Sequence, residues 1–154
     1  MPKKPTAADA QLILQLYDLR REAEIRKARN WWLVTFWPES ADDFMKIGAA
    51  FGSQENNWLR QVSGYWSMVA SLTLAGTVNQ ELVLDPSFGG EMFFIFAKVK
   101  PFLAELRTKM NNPRMFANIE KLIHSSKQGR EWMKYIEGQV ANRREAVAKA
   151  AKAS

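Results

Sequence analysis

Between Trp31 and Trp37 the chain sets Trp31, Trp32, Leu33, Val34, Phe36 and Trp37 on seven consecutive positions, with Thr35 the one polar residue among them. At about 100° per residue, a helical segment of this composition is apolar around most of its circumference. An interfacial membrane helix needs a polar face opposite its apolar one, and this segment has almost none. Stacking on nucleic-acid bases needs aromatic faces exposed beside positive charge. Arg26, Lys27 and Arg29 are close by, but large side chains ringing a helix call for cover on several sides. Each aromatic buries about 150 to 250 Å², so leaving the group in water would cost several kcal/mol at about 25 cal/mol per Å². The segment is therefore expected in the core, with one tryptophan at an interface.

Helix signals dominate the rest of the chain. Thr6 and Asp9 form a capping pattern that starts a first helix. Leu12, Leu16, Leu19, Ala23, Arg26, Asn30, Leu33 and Trp37 then alternate spacings of four and three, which predicts one long helix from about Thr6 to Trp37, ended by Pro38. Ser40 and Asp43 cap a short helix carrying Phe44, Ile47 and Phe51 and closed by Gly52. Ser53 caps the next, in which Trp58, Val62, Tyr65, Trp66, Val69, Leu72 and Leu74 run to Gly76. Asn79 caps a brief turn before Asp85-Pro86-Ser87-Phe88-Gly89-Gly90 breaks the chain. The run from Glu91 through Phe96 continues into Phe102, Leu103 and Leu106, too long for a strand, with a kink expected at Pro101. Asn111-Asn112-Pro113 predicts a stop and a new start with proline at the first helical position. Phe116, Ile119, Leu122 and Ile123 form that helix's apolar face, and a last helix runs from about Ser126. The expected fold is an all-α, single-domain bundle of five to seven helices with long N- and C-terminal helices, spanning 1–154, flexible at 1–5 and about 148–154.

The length of 154 residues and a hydrophobic content of 47% suit one domain with its own core. No stretch approaches the roughly 20 apolar residues of a membrane span, and no signal-peptide pattern follows Met1, so a cytoplasmic protein is expected. Without cysteine there is neither a disulfide framework nor a thiolate metal site. His124 is the sole histidine. Its pairing with Glu120 is Glu-x-x-x-His, one residue longer than the di-iron bundle motif and without a second copy. A position near a helix C-terminus gives it a role with terminal carbonyls. Glu91 reads as a first-turn carboxylate favoured by the helix dipole, with a catalytic acid as the alternative. Gly89-Gly90 offers the flexibility of a phosphate cradle without the Walker or dinucleotide fingerprint. The expectation is no enzyme, and no catalytic, metal, cofactor or small-ligand site.

The segments Trp66-Ser67-Met68-Val69-Ala70, Ala75-Gly76-Thr77-Val78-Asn79, Gly90-Glu91-Met92-Phe93 and Lys98-Val99-Lys100-Pro101-Phe102 resemble a group of small uncharacterised bacterial helical proteins, of the domain-of-unknown-function kind. The resemblance covers roughly residues 30–125. It implies a bacterial, intracellular, helical protein and assigns no catalytic residue.

The net charge of +6 is concentrated at the ends: residues 1–29 carry +3, residues 30–126 carry −1 and residues 127–154 carry +4. Basic terminal helices attract acidic partners or nucleic acid. The sequence thus predicts an interaction or assembly module that self-associates or docks to a larger protein complex through its terminal helices. The residues expected to bind the partner are Leu12, Leu16, Leu19, Arg20, Arg21, Arg26, Arg29 and Trp37. The alternative expectation is non-specific nucleic-acid binding by the basic ends.

Overall fold

The computed structural model describes residues 3–154, and every regular element among them is helical. The order is α1 (Ala7–Leu19), α2 (Ala23–Asn30), a π-helical turn (Trp31–Thr35), α3 (Ala41–Gly48), α4 (Gln54–Leu74), α5 (Gln80–Leu84), α6 (Pro86–Val99), a 3₁₀ turn (Lys100–Phe102), α7 (Leu103–Lys109), α8 (Ala117–His124) and α9 (Lys127–Ala153). The expected caps are in place. Thr6 and Asp9 bond reciprocally as a capping box, and Ser40, Ser53, Asn79 and Ser126 each accept an amide hydrogen bond from the turn they open. The Glu91–Leu106 stretch is helical with its irregularity at Lys100–Phe102, where Pro101 removes a donor. Of the N-terminal residues expected to be flexible, Met1 and Pro2 lie outside the described residues, whereas the Lys3 carbonyl accepts from Asn79 Nδ2 at 2.7 Å.

The sequence-based reading departs from the structure at three places. The long first helix is interrupted: α1 stops at Leu19 and α2 begins at Ala23, with the Glu22 carboxylate accepting from the amides of Glu24 and Ile25 at 2.9 and 3.1 Å. This break, with the 3₁₀ turn that divides α6 from α7, gives nine α-helices among the described residues where five to seven were expected; at the break Arg20 turns into the core. The second departure is the start of α6. Pro86 is its first residue and Asp85 its cap, so Gly89-Gly90 lie within the helix and Glu91 sits beyond its first turn. Neither a phosphate cradle nor a dipole-stabilised first-turn carboxylate exists there. The third is α8, which begins at Ala117, not at Pro113; Asn111 and Phe116 both adopt left-handed backbone and carry the chain through a turn.

Helix α4 is the spine of the bundle, packed by α2, the π turn, α3, α5 and α8, while α9 closes the opposite side against α6 and α8. Trp32, Trp66, Phe93, Phe96, Ile95, Ile119 and Ile123 are fully buried in one continuous core. Trp32, Phe36 and Trp66 share this core, with Trp58 partly buried at its edge. Two close approaches fix the corners. A Cβ on Gly89 would lie 2.0 Å from the Val83 carbonyl oxygen, and one on Gly129 would lie 2.2 Å from the Ile123 oxygen, so α6 and α9 each start against the end of the preceding helix. Gly90, beside Gly89, has open space around it. Gly89→Ala should therefore cost about 1 to 3 kcal/mol by overpacking against backbone, and Gly90→Ala should be neutral or gain about 0.5 to 1 kcal/mol as alanine replaces glycine in a helix. Urea denaturation of the two variants beside the parent checks this; equal losses would mean that the α5–α6 corner is not the close contact described.

Candidate functional site

Two polar centres are built into the core beside the aromatic segment. The first gathers Arg20, Arg29, Trp66 and Glu91. The Glu91 side chain is 6% exposed and accepts from Arg29 Nε at 2.6 Å and from Trp66 Nε1 at 2.9 Å. Arg20, only 4% exposed, donates from Nη1 to the Phe88 carbonyl at 3.1 Å and lies within about 5 Å of the ring centres of Tyr17, Trp66 and Phe88. Burial draws its guanidinium below its ordinary range, against the pull of Glu91. Tyr65 donates its hydroxyl to the Leu16 carbonyl, and burial raises that phenol to about 12. The centre clamps the end of α1 onto α4 and α6. Burying an ion pair this way costs desolvation that the extra hydrogen bonds offset. Every ligand atom of Glu91 is thereby engaged in structure.

The second centre closes the π turn. A helix end leaves carbonyl groups without amide partners, and here side chains supply them. Lys98 Nζ donates to the Trp32 carbonyl, Trp37 Nε1 to the Val34 carbonyl at 2.9 Å, and Arg144 Nη1 to the Pro38 carbonyl, while Arg144 Nη2 reaches the Lys98 carbonyl at 2.9 Å. Lys98 is fully buried, with its ammonium 3.8 Å from the Trp37 ring centre and 5.3 Å from that of Phe94. Burial, then Arg144 and Arg143, lower its pKa to about 7. Phe94 also carries Arg143 over its ring at 6.0 Å. Nothing in the sequence distinguished Lys98 from the other lysines, because its neighbours in space come from the π turn and from α9.

The residues expected to bind a partner fall into three groups. Leu12, Leu19, Arg21 and Arg26 are exposed. Leu16 and Arg20 are buried, which removes them from any surface. Arg29 is tied to Glu91, and half-buried Trp37 packs edge-on against Phe94. What α1 does present is apolar: Leu14 is 66% exposed and Leu19 58%, with Leu12 and Tyr17 also open to solvent. His124 ends α8, where its carbonyl accepts from Arg130 and its ring meets Phe96 edge-on. Among the described residues no three His, Asp or Glu side chains come together as metal ligands, and no helix is long and apolar enough to cross a membrane.

A family model described as a domain of unknown function, DUF4760, matches residues 5–126. The chain belongs to this family. No curated protein and no solved structure matches it. The DUF4760 match runs from the start of α1 through α8 and stops just before α9, so Lys98 lies within the matched residues and its neighbours Arg143 and Arg144 lie outside them.

The buried lysine has a measurable signature. Native Lys98 loses its proton near pH 7, whereas in the unfolded chain it keeps it up to about its ordinary value of 10.5. Between those values unfolding takes up a proton, so stability should rise with pH across this window; below it the cost of burying the charged amine is fully present and Lys98 adds no further pH dependence. Above pH 10 Tyr65 acts in the opposite sense, since its native phenol holds its proton to about 12. Lys98→Met, which keeps the apolar stem, should remove the rise between pH 7 and 10. Thermal melts across that range would check it; an undiminished rise in the variant would show that Lys98 is not the group responsible.

Proposed function

We propose that this protein is a non-enzymatic assembly module that pairs with a second copy of itself through α1. The observation that carries the proposal is the exposure of Leu12 and Leu19 on one flank of a helix whose adjoining face is held to the core through Leu16 and Arg20, with Leu14 and Tyr17 exposed on its opposite flank. Leu12 and Leu19 lie seven positions apart on one flank, about 10 Å along the axis. A two-fold axis between them sets each against the other in the antiparallel copy, which satisfies the self-complementarity of a symmetric dimer. Arg21 and Arg26, exposed and without ion-pair partners among the described residues, then sit at the rim with Asp18 and Glu22, where opposite charges fix register and steer encounter.

The second reading, phosphate binding by the basic ends, is favoured by Arg21, Arg26, Lys134, Arg143 and Lys152, which likewise lack ion pairs among the described residues. Salt separates the two readings, because counterion release weakens phosphate binding steeply and leaves an apolar helix pair largely unchanged.

Light scattering of the full chain should give a dimer mass at high concentration that persists in salt. Leu12→Asp with Leu19→Asp should yield a monomer with unchanged helical circular dichroism, since both side chains are open to water. A parent protein that stays monomeric at high concentration would overturn the pairing.

A further inference from the structure

A cleft of about 720 Å³ lies between α2 and the start of α4, closed at one end by the π turn. Its volume is within the roughly 300 to 1,000 Å³ of small-ligand sites. Arg26, Lys27 and Asn30 line it from α2, and Gln54, Glu55 and Trp58 from α4. The spacings of three and four residues on each helix direct these groups toward the same space. We propose that this cleft binds a nucleotide, with the base laid against Trp58 and the phosphate held by Arg26 and Lys27.

Four observations support the assignment. Arg26 has no ion-pair partner among the described residues, and the side chains of Asn30, Gln54 and Glu55 make no hydrogen bond among them. Apart from Lys27, whose exposed ammonium is paired with Glu24 at 2.9 Å, the polar groups lining the cleft are therefore ones the fold leaves unbonded. The Trp58 ring, half-buried, is held in place beside Trp31 with centres 6.2 Å apart and forms part of the cleft wall. The cleft wall includes Trp31 and Thr35 of the π turn, and such widened turns recur at functional sites.

The mixture of charges decides between ligand classes. A bare anion would engage Arg26 and Lys27, be repelled by Glu55, and leave the amides and the tryptophan without a role. An apolar ligand would desolvate two cations and a carboxylate for nothing. A nucleotide uses all of them: its phosphate takes the cations as charge-assisted hydrogen bonds, its base offers a π face to Trp58, and its ring N–H or amino groups donate to Glu55. The cleft is sized for one nucleotide, supplied either free or as one unit of a single strand. The assignment is independent of α1 pairing, which uses other residues.

The test is a titration of the ¹⁵N-labelled full chain, followed through the Trp58 indole N–H resonance, with guanosine and adenosine 5′-monophosphates, the corresponding nucleosides, inorganic phosphate, and a short single-stranded RNA. Trp58→Phe assigns the resonance. At least one monophosphate should shift the resonance and bind more tightly than its nucleoside or phosphate alone. Arg26→Ala with Lys27→Ala, both at solvent-exposed side chains, should weaken binding at least about tenfold, equivalent to about 1.4 kcal/mol, while the circular dichroism spectrum stays the same. Tighter binding of the RNA than of either monophosphate would assign the source as a single strand, and equal or weaker binding would assign it as a free nucleotide. The proposal is overturned if neither monophosphate moves the Trp58 resonance, if phosphate alone binds as well as the nucleotide, or if the double variant binds like the parent.

Discussion

The termination of the aromatic segment governs much of the rest of the structure. A turn with apolar side chains on nearly every position must enter the core, and it takes the carbonyl groups of a helix end with it. The Trp32 carbonyl is cut off from water there, and an unpaired buried carbonyl is costly. Lys98 from α6 donates to it, Arg144 from α9 to the part-buried Pro38 carbonyl, and Trp37, just beyond the turn, to the exposed Val34 carbonyl. Each of those donors must then be tolerated in turn. The rings of Trp37 and Phe94 face the Lys98 ammonium, while the Arg144 guanidinium spends its second nitrogen on the Lys98 carbonyl. This exchange ties the helices that supply the donors to the turn, beside the apolar core between them.

The same logic repeats at the end of α1. Arg20 enters the interior among Tyr17, Trp66 and Phe88, and Glu91 balances it and Arg29 from α6. Both polar centres therefore bridge the N-terminal third of the chain to α6. Breaking one member leaves an uncompensated buried charge, which is far more damaging than replacing the whole set by apolar residues. Glu91, conspicuous in the sequence as a carboxylate amid aromatics, is explained by this balance, since both of its oxygens are occupied.

Much of the fold was legible in the sequence. Caps at Thr6, Ser40, Ser53, Asn79 and Ser126 are local chemistry, and each opened a helix where the sequence placed it. The all-round apolar character of residues 31–37 indicated burial, which holds for Trp31, Trp32 and Phe36, whereas Leu33 and Trp37 are half-buried and Val34 is 63% exposed. What escaped was tertiary. Arg20 lies in a run of charged residues that reads as surface, and only the three rings around it, contributed by α1, α4 and α6, reverse that reading. Lys98 looked like any lysine because Trp37 and Arg144 are remote in sequence. Gly89-Gly90 read as a break because the close approach of Gly89 to Val83 is invisible without the packed pair. The cleft beside Trp58 was equally hidden, since its two walls lie more than twenty positions apart and neither α2 nor α4 carries a recognisable motif.

The lowered proton affinity of Lys98 makes folding itself an acid–base reaction. In mildly alkaline solution the chain must expel a proton into its surroundings as it collapses, and take one back when it opens. The heat measured on melting then contains the ionisation enthalpy of whatever buffer exchanges that proton. Two buffers at one pH would report different apparent enthalpies for the same conformational event, and the difference counts protons and not contacts. A single amine under an indole ring thus connects the energetics of the whole bundle to the composition of its solvent.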